Sequence, residues 1–245
     1  MRNFVSALSF LTLIPFGKFA GKPVAGSVLY FPVVGILIGC LLAGIDWLGS
    51  VYLYDELRVL TDVAFLALIT GGLHLDGLAD SSDALYILHD KEKSLEIMKD
   101  PRVGVMGVLA LLFCLAFKFS GILALEFEHC WLWFIVAPAL ARSTQVVGLV
   151  FMNDARQTGG VGQGLYQKGK YLYLAFCLIP LALPFWVSVP VGATVVVTFV
   201  MINASLFWFF NRRLGGMTGD TFGASTEITE TFFLILGGLV CKGLI

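Results

Sequence analysis

The sequence predicts an all-α, polytopic integral membrane protein, read as a single membrane-embedded domain over residues 1–245 with about seven to eight membrane segments. Three observations carry that reading. Hydrophobic residues make up 58% of the chain and charged residues 13%, with a mean hydropathy of +0.88, against about 25% charged residues in an ordinary soluble domain. The apolar runs are long and do not alternate, which selects helices over strands. Lysine and arginine also fall on every second connection between those runs, as the positive-inside rule requires of a multi-pass chain.

The elements follow in order. "MRNFVSALSFLTLIPFGK" has the charge and short apolar core of a secretory signal. No small-residue cleavage site follows, so 3–16 is expected to be a short or half-embedded helix ended near Pro15. Membrane spans are expected at 27–50, 59–75, 103–125, 131–151, 171–189, 191–210 and 223–245. About twenty residues cross a bilayer, which makes 59–75 short and 171–210 a tight hairpin turning near Val189-Pro190. Residues 84–102 read as a surface connection, with Leu85, Leu88, Leu95 and Met98 at helical spacing against the membrane.

One set of loops holds Lys18, Lys22, Lys91, Lys93, Lys99, Arg102, Arg156, Lys168, Lys170, Arg212 and Arg213. The other holds Arg58, beside Asp55 and Glu56, and the acidic "EFEH" at 126–129. The first set is therefore expected to face the cytoplasm, with the chain in the cytoplasmic (inner) membrane. A net charge of −1 and the lack of a basic tail give no reason to expect nucleic acid as a partner. Cys40, Cys114, Cys130, Cys177 and Cys241 are scattered without CxxC or metal-ligand spacing; four of them sit in apolar segments and read as small core residues, and no disulfide framework is expected.

The chemistry concentrates in "GGLHLDGLADSSDAL", 71–85. Asp76, Asp80 and Asp83 stand at i, i+4 and i+7, along one face if the segment is helical. No basic residue lies between Arg58 and Lys91 to relieve them. A bound divalent cation is the simplest compensation, and carboxylate-only ligands favour Mg²⁺ or Mn²⁺ over zinc. A solvated acidic helix start is the plainer alternative. Gly77 leaves one side of the helix bare for close approach, and His74 is a candidate general base or a partner of the site.

Further candidates sit on the same expected face. Asp100-Pro101-Arg102 places a charge pair at the start of the next span. "RRLGGMTGDTFGASTEITE", 212–230, has Thr218, Gly219 and Asp220 opening a helix, with Glu227 and Glu230 inside an apolar span, where a carboxylate is a functional candidate by default. "ARQTGGVGQGLYQKGK", 155–170, offers glycine N–H groups and Arg156 to phosphates. Arg142, inside a span, is read as paired with a carboxylate or binding a phosphate. An acidic metal site with cations at one end of a helical bundle is equipment for phosphoryl transfer. A membrane transporter is the reading from another class.

"GGLHLDGLADSSDAL", "LEIMKDPRVGVMGVLAL" and "LGGMTGDTFGASTEITE", with "ALSFLTLIPF" and "YFPVVGILIG", resemble the cobalamin synthase family of adenosylcobinamide-GDP ribazoletransferases nearly end to end. Ala84 stands where that family usually has Gly, and Pro101 where Ser is frequent. The resemblance implies an Mg²⁺-dependent transferase of vitamin B12 coenzyme assembly. The ribose hydroxyl of α-ribazole, or of its 5′-phosphate, would attack the corrinoid-side phosphate of adenosylcobinamide-GDP, and GMP would leave. In that frame Asp76, Asp80, Asp83 and Asp220 would hold metal and pyrophosphate, and Asp83 or His74 would take the hydroxyl proton. Arg102, Arg156, Asp100, Arg142, Thr218, Gly219 and Glu227 would serve substrate binding. Beyond the two substrates, candidate partners are membrane lipid, a second copy of the chain and other corrinoid-assembly enzymes. The DG-x-x-A-D core is also similar to the CDP-alcohol phosphotransferases, the enzymatic alternative, although Asp80 stands where their motif has Arg.

Overall fold

The structure is a computed structural model that describes residues 2–14, 24–88, 90–125, 130–156 and 163–244. Among these residues it is built of helices, with one isolated parallel bridge between Asp154 and Met217. Helix α1 covers Arg2–Leu11, and a 3₁₀ turn at Ala25–Tyr30 leads into α2, Phe31–Tyr52. Then come α3 (Asp55–Ile69), α4 (Leu73–Leu85), the short α5 (Lys91–Ile97), α6 (Val105–Leu123) and α7 (Trp131–Phe151). The short α8 (Leu178–Ala182) lies between 3₁₀ turns, and two long helices close the bundle, α9 (Val189–Leu214) and α10 (Gly219–Cys241).

Five of the described helical stretches are long and apolar enough to cross a membrane, and six if α3 and α4 count as one broken span bent by 85°. That is fewer than the seven to eight expected, for two reasons. α1 has only 10 residues, too few to cross. Residues 171–186 form a run of short 3₁₀ and α pieces that carries Pro180 and Pro184 and is too short for a span. The chain turns at Val187-Ser188, beside the expected Val189-Pro190, and Pro190 sits in the first turn of α9, where its missing N–H costs nothing. The expected stop at Pro15, Lys18, Lys22, His89, the "EFEH" loop with His129, and the glycines of 157–162 lie outside the described residues. In the surface connection, Leu85 and Met98 are buried against Phe207, Phe210 and Leu214, whereas Leu88 is 88% exposed.

The central helix is α7, with Arg142, Ser143 and Thr144 all buried. It packs along α2 because Gly35 and Gly39, one turn apart, bring the two backbones together. A Cβ on either glycine would stand 2.5 Å from a carbonyl oxygen of α7, that of Pro138 or of Phe134. This is close packing through small residues, the usual means by which helices associate in lipid.

On its other side α7 meets α10 through buried charge. Lys118 of α6 donates to Glu227 and to Glu230 of α10, each at 2.6 Å, and Arg142 donates to Glu230. Two cations thus face two anions, all at least nine-tenths buried. Arg142 is therefore paired with a carboxylate, the first of the two readings its position allowed.

The far ends of α7 and α10 are joined by a disulfide, Cys130–Cys241. This corrects the expectation that the scattered cysteines form no disulfide. Antiparallel packing puts the start of α7 beside the end of α10, and a separation of 111 residues leaves no trace in local spacing. Cys40, Cys114 and Cys177 are free thiols.

Two outcomes follow from this packing. Alkylation under denaturing, non-reducing conditions labels three cysteines by mass spectrometry, and prior reduction raises the number to five. Lys118→Met leaves two buried carboxylates short of a partner and lowers stability in detergent by about 3–5 kcal/mol. Adding Glu227→Gln recovers part of that loss in thermal unfolding.

Candidate active site

α4 carries Asp76, Asp80 and Asp83 on one helical face, and its N-cap Gly72 lies in the left-handed region at φ 71°. That glycine conformation lets the chain leave α3 and turn sharply into α4. Close against α4 runs the first turn of α10. A Cβ on Gly77 would stand 2.6 Å from the carbonyl oxygen of Asp220, and one on Gly223 would stand 3.1 Å from that of His74. The bare side of α4 at Gly77 is thus filled by the α10 backbone, not left for a ligand. In consequence Asp220 joins the α4 carboxylates: Asp80 lies within electrostatic reach of Asp76, Asp83, Asp220 and Arg156.

Arg156 reaches this cluster because of the bridge between 153–155 and 216–217. The Ala155 N–H donates to Met217 O at 2.9 Å, and the Met217 N–H to Asn153 O at 2.9 Å. Tyr166 Oη donates to the same Met217 carbonyl at 2.7 Å. Burial, with the Asp154 charge beside it, pushes the Tyr166 phenol above its usual range, so it remains a donor. Held this way, Arg156 pairs with Asp220 at 2.5 Å.

Other candidates have structural duties. Asp83 accepts from the Gly104 N–H at 2.7 Å and the Gly107 N–H at 2.8 Å, clamping the start of α6 with a charge-assisted cap. Thr218 is the N-cap of α10, in a reciprocal pair with Thr221, and it lines the cavity together with Gly219. Asp100 and Arg102 bind each other at the exposed entrance to α6, and the guanidinium holds the Asp100 carboxyl down at about 2, so the pair stays ionised through mildly acidic pH. Arg142 and Glu227 belong to the buried ionic core. Gly219 is exposed at the first position of α10.

His74 is buried at the α4–α7–α10 junction. Gln145 Nε2 donates to Thr226 Oγ1 at 2.7 Å and stands 2.9 Å from His74 Nε2. The Thr226 hydroxyl is itself a donor, to Phe222 O at 2.8 Å, so it must accept from the amide. The second amide hydrogen then meets His74 Nε2, which accepts. This direction puts the imidazole proton on Nδ1, which has no partner among the described residues.

A cavity of about 290 Å³ opens between these elements. Asp76, Asp220 and Arg156 stand on its wall, with His74, Gln145 and aromatic side chains. On the other face of α4 an open groove of about 630 Å³ shares Asp76, Leu73 and Phe10 with it. Among the described residues no three His, Cys, Asp or Glu side chains converge as a ready-made metal site. Two cavity carboxylates, Asp76 and Asp220, are the donors that an ion could meet there.

The residues that sequence reasoning missed are Gln145, Asp154, Tyr166 and Lys118. Lys118 carried the same signal as Arg142, a cation within an apolar run. The other three look like ordinary loop or span residues until the fold brings them to the cavity.

Comparison with known proteins decides the family. The cobalamin-5-phosphate synthase family matches residues 3–238. This chain belongs to that family. It is 40% identical over 237 residues to an adenosylcobinamide-GDP ribazoletransferase from Desulforamulus reducens, covering 95% of each chain. A relative of the same name from Alkaliphilus metalliredigens is 38% identical, over 96% of this chain and 94% of its own. The Pseudomonas syringae relative is 37% identical, over 96% and 98%. No solved structure matches.

The α4–α10 crossing gives a direct test. Gly77→Ala places a methyl against the α10 backbone, which cannot turn aside as a side chain can. Stability falls by about 1–3 kcal/mol, and turnover falls with it as Asp220 moves away from α4. Asp83→Ala removes the cap of α6 and lowers the unfolding midpoint by the equivalent of about 1–2 kcal/mol.

Proposed function

We propose that this chain transfers the adenosylcobinamide-phosphate group from adenosylcobinamide-GDP to α-ribazole or its 5′-phosphate, releasing GMP. The relatives bear the name of that reaction over almost their whole length. The observation that carries the reading in the structure is the meeting of α4 and α10 carboxylates with Arg156 on one cavity wall.

In this reading Asp76 and Asp220, which line the cavity, hold Mg²⁺ together with the substrate pyrophosphate. The ion would neutralise the pyrophosphate and stabilise the leaving oxygen of GMP. Arg156 has its Nε hydrogen unpartnered among the described residues and steadies a phosphate oxygen, a charge-assisted contact suited to a guanidinium. The ribose hydroxyl forms the new P–O bond as the bond to GMP breaks. Asp83 is occupied by two backbone N–H groups and His74 Nε2 by Gln145. Asp80, half-buried within reach of both ligands, is left to take the hydroxyl proton. The CDP-alcohol and transporter readings have no comparable support.

We also assign the site end of the bundle to the cytoplasm, in the inner membrane. Lys91, Lys93, Lys168, Lys170, Arg212 and Arg213 connect helices at that end, and the disulfide lies at the opposite end, as an oxidising compartment would favour. Chemically this places the site where nucleotides are available.

Purified protein in lipid, given adenosylcobinamide-GDP, ribazole phosphate and Mg²⁺, releases GMP, and EDTA abolishes the release. Asp80→Asn and Asp220→Asn each reduce turnover by about 100-fold or more without a matching loss of thermal stability. CMP release from a CDP-alcohol in place of GMP release would transfer the chain to the other chemistry. In spheroplasts, Lys168→Cys reacts with an impermeant maleimide only after permeabilisation.

A further inference from the structure

Charge is buried at two places among the described residues, and the two differ in balance. Between α6, α7 and α10, Lys118 and Arg142 meet Glu227 and Glu230, two cations to two anions. The other place lies between α2 and α3, in the half of the bundle away from the candidate active site. There Asp46 of α2 meets Arg58 and Asp62 of α3. Arg58 is buried, Asp62 is completely so, and Asp46 keeps a small part of its side chain exposed. Two carboxyl groups thus share one guanidinium.

The sequence builds this arrangement locally. Arg58 and Asp62 stand at i and i+4 on the buried face of α3, in line with Val59, Val63 and Leu66. Gly49, three residues after Asp46, makes room for the arginine: a Cβ there would stand 2.9 Å from Arg58 Cγ. The guanidinium is already engaged. Its Nη1 donates to Asp46, and its Nε lies 3.5 Å from Asp55, which is exposed at the start of α3. Neither oxygen of Asp62 accepts a hydrogen bond from any described residue. What does lie within hydrogen-bond reach of it is the Asp46 carboxyl, which when ionised is an acceptor like itself.

An ionised Asp62 would therefore be a charge without a donor, beside a like charge and among apolar side chains, an arrangement that burial makes expensive. One proton removes both difficulties. The O–H of one carboxyl donates to the other, and the remaining negative charge is matched by Arg58, so the cluster becomes neutral like its counterpart at Lys118. A metal ion would serve less well. Hard cations take about six oxygen ligands, and here two carboxyl groups are offered with a guanidinium already against them.

We propose that Asp46 and Asp62 form a proton-binding site, a carboxyl–carboxylate pair that shares one proton and is anchored by Arg58. The partly exposed Asp46 is where the proton enters, and the sealed Asp62 is where it is kept from water. The charged groups that face the pair are Arg58, with Asp55 behind it, on α3 and Asp46 itself on α2. α6 also packs on α3, but its Lys118 is turned to Glu227 and Glu230. The shared proton fastens α3 to α2 without leaving a net charge in the bundle. It touches no residue of the carboxylate site and stands apart from the transferase reading.

Infrared spectroscopy of the full protein in lipid at neutral pH tests this. Wild type shows the C=O stretch of a protonated carboxyl that shifts on isotopic labelling of aspartate; Asp62→Asn removes it and Asp80→Asn leaves it in place. Asp62→Asn also keeps the thermal midpoint within about 2 °C of wild type, because the asparagine amide donates to Asp46 as the carboxyl did. Replacing sodium chloride by choline chloride leaves both midpoints unchanged. A carboxyl band that persists in Asp62→Asn, or none in wild type, would overturn the proposal. So would a larger fall in the midpoint of Asp62→Asn, which marks an ionised Asp62, or a rise with sodium in wild type that the variant lacks, which marks a metal ion.

Discussion

The rest of the site depends on one contact, the crossing of α4 and α10 at Gly77 and Gly223. Backbone meets backbone there with no room for a methyl group. That closeness sets Asp220 beside three carboxylates more than a hundred residues earlier in the chain, and it puts His74 against α10 at the depth of Thr226. A cluster of four acids is unfavourable on its own, and Arg156 is the cation that reaches it among the described residues. The repulsion is tolerated because the helices carrying the acids are held by packing elsewhere.

That packing includes an unusual amount of buried polarity for a membrane bundle. Lys118 and Arg142 hold Glu227 and Glu230 between α6, α7 and α10, and one turn nearer the site Gln145 links α7 to α4 and α10 through His74 and Thr226. Charges paired away from water give little net stability against apolar residues of the same size, but breaking such a pair is costly. Their effect is to specify register. Sliding α10 by one turn against α7 or α6 would leave charges unmatched in lipid, so the ionic layer fixes how far the α10 N-terminus projects toward α4. The disulfide ties the other end of the same helix pair.

The site is asymmetric about α4. An aromatic cavity on one face of α4 and an open groove on the other share Asp76, so the carboxylates line a boundary and not a floor. On the cavity wall Asp76, Asp220 and Arg156 carry the charge, and His74, Gln145, Tyr166 and the aromatic pairs form much of the rest.

Much of this was legible in the chain itself. Composition and unbroken apolar runs dictate a helical membrane protein. The period of 3.6 places Asp76, Asp80 and Asp83 on one face, and the motifs around them and around Asp220 resemble a single enzyme family. Those signals are local, and local physics survives any tertiary arrangement. What the fold alone decided is which of the marked residues face the cavity. Asp83 looks like a site residue in sequence but accepts from backbone N–H groups at the start of α6, whereas Thr218 caps α10 and also lines the cavity. Arg142 and Glu227 are intramembrane charges whose partners lie on other helices. Gln145 and Tyr166 carry no motif at all. The span count fell because α1 has only 10 residues and because 171–186 is a run of short 3₁₀ and α pieces, neither long enough to cross. A polar side chain states in sequence that it needs a partner. Whether that partner is a backbone amide, another charge or a substrate is set by helices that meet only when the whole bundle packs.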